Sequence, residues 1–87
     1  MKRIPGFVLQ AVEEDTFAVA VTPEAAAIGT MIKLNATAAF LFELLESDRT
    51  EQECTKALRA HFLVDEDIAA QDVHAFLEAM KAAHLLT

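Results

Sequence analysis

The chain has 87 residues, of which 54% are hydrophobic, and it contains only two glycines and two prolines. This composition excludes a disordered chain and predicts one packed domain, residues 1–87. The formal charge of −7 and the scattered lysines and arginines disfavour nucleic acid and anionic membranes as partners.

The first part of the chain predicts a β-hairpin. Phe7–Val12 and Phe17–Thr22 are rich in β-branched and aromatic residues, and the polar segment 13–16 joins them. Alternate residues of a strand point to opposite faces, so each strand has one candidate core face. The predicted core faces are Phe7, Leu9 and Ala11 on the first strand and Phe17, Val19 and Val21 on the second.

A third strand follows a short connection. Thr22–Ile28 contains Pro23, which interrupts a ladder, and it is expected to be irregular or to form a helical turn. Gly29 opens the third strand, and Asn35, a favoured N-cap, ends it. If this strand lies at a sheet edge, its unpaired backbone groups could accept a strand from another molecule.

The first long helix is predicted from about Ala36 to about Glu46. Phe40, Leu41, Leu44 and Leu45 form one apolar stripe, and Phe42 projects well away from its centre. Two interpretations follow: either the helix is buried on two sides, or Phe42 belongs to an exposed surface that binds a partner.

Two further helices are predicted. Thr50 and Glu53 form a capping box before the second helix, and Asp65 caps a third helix that runs to about Ala83. We expect Leu85 and Leu86 to fold back over the core. The stripe expected to be buried on the third helix is Ala69, Val73, Phe76 and Met80, with Leu77 on one flank. The other flank consists mostly of small residues: Ile68, Asp72, Ala75, Ala79, Ala82 and Ala83.

The predicted order is three strands and then three helices (βββααα). This is an α+β fold, with the helices expected on one face of a three-stranded antiparallel sheet. The order is compatible with a winged helix-turn-helix-like arrangement.

Residues for catalysis are scarce, so an enzyme is not expected. Ser47 lies between two acids with no histidine nearby, and Cys54 lies on an apolar helical stripe beside acids that disfavour a thiolate. His61, His74 and His84 lack metal-ligand spacing, so neither a metal nor a cofactor is predicted. A single cysteine, without a signal peptide or a bilayer-spanning run, favours a cytoplasmic setting.

The segment Gly29–Leu45 resembles a known signature. It matches the pattern Gly-x-Met-Ile-x-Leu-Asn-x-Thr-Gly/Ala-x-x-Leu/Phe-Trp-x-Leu-Leu of pyrroloquinoline quinone biosynthesis protein D (PqqD) and its relatives, although Phe42 stands where many relatives have tryptophan. His84 replaces a glycine that often precedes the final Leu-Leu, which leaves the C-terminal cap open. Further similar segments begin at Gly6, Arg49, Val64, Asp72 and His84.

The resemblance implies a non-catalytic peptide-recognition domain for ribosomally synthesised, post-translationally modified peptides (RiPPs). Such domains hold the leader of a precursor peptide and present it to a modifying enzyme, often a radical S-adenosylmethionine (radical SAM) enzyme. The leader is expected to add as an antiparallel strand along the third strand and to contact the third helix. The implied peptide-binding residues are Thr30, Met31, Ile32, Lys33 and Leu34 on the strand, and Ile68, Asp72, Phe76 and Ala79 on the helix.

Several alternatives stay open. Lys33 could pair with an acidic leader residue or guard an exposed edge against aggregation, and exposed edges are also compatible with a homodimer. The alternative function is a winged-helix regulatory or protein-interaction domain with no role in peptide modification. DNA binding is disfavoured because residues 65–83 carry five acids and one lysine. An acyl-carrier role is disfavoured because Ser47 follows Glu46 at a helix end.

Overall fold

The computed structural model describes all residues, Met1–Thr87. It confirms the α+β class, with a three-stranded antiparallel sheet of order β1-β2-β3 followed by three long helices. The elements are β1 (Phe7–Val12), β2 (Asp15–Ala20), α1 (Pro23–Ile28), β3 (Met31–Leu34), α2 (Ala36–Leu44), α3 (Glu51–Phe62) and α4 (Glu66–Ala82).

The segment between β2 and β3 takes the helical one of the two expected forms. The Thr22 side chain accepts a hydrogen bond from Ala25 N–H at 3.2 Å, and Pro23 occupies the first turn, where a missing N–H costs nothing. The order is therefore ββαβααα, with the short helix α1 inserted before the third strand.

The pairing register determines which face of β2 meets the helices. Leu9 of β1 pairs with Ala18, and Ala18 pairs with Ile32 of β3. Ala18 is 0% exposed, whereas Val21 is 60% exposed. The prediction that Phe17, Val19 and Val21 form the core face was therefore wrong, and the inward face carries Ala18 and Ala20 instead.

The physical reason is that hydrophobicity does not alternate along β2. Residues 17–21 are apolar at every position, so a period of two residues does not distinguish a core face from a solvent face. The small side chains of Ala18 and Ala20 leave room for the large side chains of α2 to approach the sheet.

Helix α2 lies between two hydrophobic clusters. Leu41 and Leu45 belong to one cluster and Phe42, 1% exposed, to the other, which confirms burial of α2 on two sides. The Phe42 ring meets the Phe7 ring edge to face, with 5.8 Å between centroids. The first cluster contains Leu41, Leu45, Cys54, Leu58, Ala69, Val73 and Leu77, and the second contains Phe7, Ala18, Ala25, Phe42, Met80 and Leu85.

The helix starts follow local signals in the sequence. The Asn35 side chain accepts from Ala38 N–H at 2.8 Å, and the Asp65 side chain caps α4. Thr50 and Glu53 form the expected reciprocal capping box, with bonds of 2.9 and 3.1 Å. All three predicted caps are confirmed.

The chain ends are tied together over the second cluster. Ile4 N–H donates to Leu85 O at 2.8 Å, and Leu85 is buried, which confirms the expected fold-back. His84 adopts a left-handed conformation with φ 60°, a conformation that glycine adopts without strain, so the glycine that the resemblance implies at this position would fit it. The Arg3 guanidinium lies 4.7 Å from the Phe42 ring centroid, and its Nε donates to Phe42 O at 2.9 Å. These contacts fix Phe42 and Leu85 beside β3.

Candidate functional site

Strand β3 is an edge of the sheet, and its register shows which backbone groups are free. Thr30 O accepts from Ala20 N–H at 3.0 Å, so Thr30 directs its backbone groups toward β2. Neighbouring residues of an antiparallel strand direct their backbone groups to opposite sides. Ile32 and Leu34 therefore also bond β2, whereas the N–H and C=O groups of Met31 and Lys33 point to the free edge.

The side chains of β3 divide between two environments. Ile32 and Leu34 face inward and are half-buried, while Met31 is 54% exposed on the outer face. Lys33 is also on the outer face, where its Nζ lies 3.6 Å from Asp15 Oδ1. Both partners are largely exposed, so this ion pair adds little stability.

An apolar cavity of about 310 Å³, here called the apolar chamber, lies between β3, α2 and α4. Its floor is made by buried Phe42, Met80 and Leu85, and the small side chains of Ala38 and Ala79 leave its space open. Nine of the ten lining residues are hydrophobic, so the chamber suits an apolar side chain. The lining residues are Ile32, Lys33, Leu34, Ala38, Phe42, Phe76, Ala79, Met80, Ala83 and Leu85.

A second cavity of about 340 Å³, the polar chamber, adjoins the apolar chamber and shares Ala38 and Phe76 with it. It lies between the start of α2 and the middle of α4. Asp72 is the one ionisable residue in its wall, and it forms no ion pair within the chain. The lining residues are Asn35, Thr37, Ala38, Asp72, Ala75 and Phe76. Together the two chambers form a groove that runs from β3 past Asn35, between α2 and α4.

The residues expected from sequence fall at several places around this groove. Ile32, Lys33, Leu34, Phe76 and Ala79 line the apolar chamber, and Asp72 with Phe76 lines the polar chamber. Thr30 and Met31 lie along the strand without lining either chamber. Ile68 is 48% exposed and lies one turn before Asp72, outside both linings.

Several residues that line the chambers are not among the binding residues predicted from sequence. Ala75 and Ala83 belong to the small flank of α4, so the spacing of alanines was an available signal. The contributions of α2 and of the C-terminal segment arise only from tertiary packing. The added residues are Asn35, Thr37, Ala38, Phe42, Ala75, Met80, Ala83 and Leu85.

Other chemically active side chains lie away from the groove. Cys54 is buried in the first cluster, and burial raises the pKa of its thiol, which disfavours the reactive thiolate. His61 stacks on Phe40 with ring centroids 4.4 Å apart, and His74 lies 3.5 Å from Glu51. These contacts place the histidines in separate surroundings.

A larger cavity of about 540 Å³ lies between α3 and α4, but its lining differs from that of the groove. It contains both acids and bases, and Arg59 Nη1 lies 3.9 Å from Glu66 Oε2. No strand edge adjoins it, so it offers no row of unpaired backbone groups. The groove beside β3 is therefore the stronger candidate site.

Comparisons with known proteins agree with this architecture. The family model described as "Coenzyme PQQ synthesis protein D (PqqD)" matches residues 6–86. The solved structure described as "TbiB1 in Complex with the TbiA(beta) Leader Peptide" is similar to this chain with a TM-score of 0.72 and 24% identity, covering 99% of this chain and 94% of that chain. At this identity the likeness establishes a shared fold. No curated protein matches the chain.

No helix in the structure combines the length and the apolar character that crossing a membrane requires.

Proposed function

The chain belongs to the family of coenzyme PQQ synthesis protein D, and from that premise we propose that it binds the leader of a RiPP precursor peptide. The leader adds as a strand to the free edge of β3 and places alternate side chains in the groove. One observation supports this proposal above all: the outward backbone groups of Met31 and Lys33 lie directly beside the apolar chamber.

Strand addition explains why this edge suits a peptide rather than a small molecule. Met31 and Lys33 each offer one donor and one acceptor, and backbone bonds of this kind form with almost any extended sequence. Specificity then comes from side chains that alternate into the chambers. An antiparallel addition continues the antiparallel pairing already present in the sheet.

The likeness to TbiB1 supports the same assignment. That protein is described in complex with a leader peptide, and its fold covers nearly all of this chain. Thr30, Ile68 and the other strand and helix residues implied by the family signature are proposed here as contacts of the leader, with Ile68 at the outer end of the contact on α4.

The proposed role is non-catalytic presentation of the precursor to a modifying enzyme. A radical SAM enzyme is the partner that the family resemblance favours, and a cytoplasmic setting suits both ribosomal precursors and the unpaired Cys54. The free edges also leave homodimerisation as a competing use of β3, since a second copy would occupy the same backbone groups.

Binding of the encoded precursor tests this function. Isothermal titration of the chain with the leader half and, separately, with the core half of the precursor encoded beside it should give saturable one-to-one binding for the leader only. Equal binding of the two halves, or no binding of the leader, would contradict the proposal.

A further inference from the structure

We propose that the groove selects leaders that carry a cationic side chain followed, toward the C-terminus, by a large apolar side chain. The cation occupies the polar chamber beside Asp72, and the apolar side chain occupies the apolar chamber beside Ile32 and Ala79. This inference rests on the proposed function, because it assumes that the leader pairs with β3, and it adds the sequence pattern that this chain recognises.

The order of the two side chains follows from strand direction. β3 runs from Met31 to Leu34 and reaches Asn35, in the wall of the polar chamber, at its end. An antiparallel leader runs the opposite way, so it passes the polar chamber first and the apolar chamber afterwards. Inward-facing positions recur at every second residue, so the apolar side chain follows the cation by roughly two or four positions.

The charge of the polar chamber selects a cation. Asp72 is its one ionisable residue, it forms no ion pair within the chain, and no lysine or arginine lines the chamber. The net charge of α4, which forms one wall of the chamber, has the same sign, since residues 65–83 carry five acids and one lysine. An acidic leader residue at this point would be repelled.

The start of α2 opposes this preference but does not reverse it. Asn35 and Thr37 belong to the helix N-terminus, which carries about half a positive charge. The Asn35 side chain already accepts from Ala38 N–H at 2.8 Å, so its oxygen is occupied by capping. The full negative charge of Asp72 exceeds the partial charge of the helix, and the chain as a whole carries −7.

The apolar chamber is selective for a different reason. Lys33 is the one ionisable residue that lines this cavity of about 310 Å³, and its ammonium lies on the outer face of the sheet near Asp15. A polar side chain placed there would lose its hydration without gaining a partner. A leucine, methionine or phenylalanine would instead bury its surface against Phe42 and Met80.

Selection from a random display library of short peptides, with the chain as the immobilised target, tests the pattern. Enriched peptides should carry lysine or arginine, then a large apolar residue after the stated spacing. Asp72→Asn should weaken binding of an enriched lysine peptide by about threefold to tenfold and should change binding of its glutamine counterpart by less than about twofold. Asp72→Lys should reverse the preference, toward a glutamate counterpart.

Asp67→Asn is the matched control. It makes the same chemical change on the same helix and removes the same charge, but Asp67 lines neither chamber. It should leave the affinity for the lysine peptide unchanged. An equal loss of affinity in both variants would show that the effect comes from net charge alone and would overturn the proposal.

The outcomes also separate this inference from the proposed function. One outcome is that the enriched peptides protect the Met31 and Lys33 amides from hydrogen exchange and yet carry lysine or arginine no more often than the starting library. That result would overturn the proposed pattern and leave the proposed leader binding intact. If neither library peptides nor the encoded leader bind, both proposals fail.

Discussion

The sheet has two free edges, and they differ in what lies beside them. In β1, Phe7, Leu9 and Ala11 direct their backbone groups outward, just as Met31 and Lys33 do in β3. β1 is also the longer strand, with six residues against four. Judged only by the number of outward backbone groups, β1 would be the better docking edge.

Side chains reverse that ranking. β3 borders the groove formed with α2 and α4, whereas the second half of β1 is exposed. The cavity at the start of β1 is mostly polar, lined by Lys2, Arg3, Pro5, Gly6, Phe7 and Glu46. An edge therefore becomes a specific binding site when a helix beside it supplies pockets for alternate side chains.

Removing Phe42 should have the largest effect, because its ring packs under β3 and also touches Phe7 of β1. Phe42→Ala should lower the free energy of unfolding by about 3–5 kcal/mol, as for other buried aromatic truncations. Urea unfolding followed by circular dichroism measures this loss, and Phe42→Leu should recover much of it. A loss below about 1 kcal/mol would contradict the central position of this ring.

A matched pair of prolines should separate the two edges directly. Lys33→Pro removes an outward donor of β3 and leaves a leader carbonyl unpaired, which should weaken leader binding by about tenfold to a hundredfold. Ala11→Pro removes the corresponding outward donor of β1 and should leave leader affinity unchanged. Titration calorimetry with the encoded leader measures both affinities.

Both substitutions spare the hydrogen bonds to β2, so thermal unfolding should show a folded chain in each case. Ile32→Pro is a poorer test, since the Ile32 N–H points toward β2 and its loss would also damage the sheet. Equal weakening by the two edge prolines would show that the leader does not distinguish the edges.

Filling the apolar chamber should give a smaller effect. Ala79→Phe places a ring in the space expected for a leader side chain and should weaken binding by about fivefold to thirtyfold, equivalent to losing about 1–2 kcal/mol of apolar burial. Ala82→Phe, an exposed position on the same helix that does not line the chamber, is the control. Fluorescence anisotropy of a labelled leader measures both, and no difference between them would argue against use of the chamber.

The smallest effect on binding is expected for Lys33→Ala. The ammonium already lies 3.6 Å from Asp15 Oδ1, and an exposed pair of this kind contributes about 0–1 kcal/mol. Leader affinity should change by less than about threefold, while self-association should rise because a charge that guards the edge is lost. Sedimentation velocity measures association, and a large loss of affinity without association would favour pairing of Lys33 with an acidic leader residue.

Local signals made much of the fold predictable from sequence. Asn35, Asp65 and the Thr50–Glu53 pair satisfy backbone groups within one helical turn, so each helix start can be identified without knowledge of tertiary contacts. The inward face of β2 could not be predicted, because both of its faces are apolar and only pairing with Leu9 and Ile32 distinguishes them.

The candidate site was also predictable in part. The third strand followed from its position before Asn35, and the alanine flank of α4 indicated room for a neighbour. That this strand lies at the edge of the sheet depends on the strand order, which the sequence left open. The chamber floor required three distant segments, since Phe42, Met80 and Leu85 come together only through packing. The direction of each backbone group along β3 likewise depends on the bond between Thr30 and Ala20.

Amide hydrogen exchange, resolved by residue with NMR, distinguishes docking at β3 from docking at β1. Adding the encoded leader should slow exchange of the Met31 and Lys33 amides, which point to the free edge of β3 in the unbound chain. The outward amides of β1, those of Phe7, Leu9 and Ala11, should keep their exchange rates. Protection of the β1 amides instead, or bound leader with no protection at Met31 and Lys33, would contradict docking at β3.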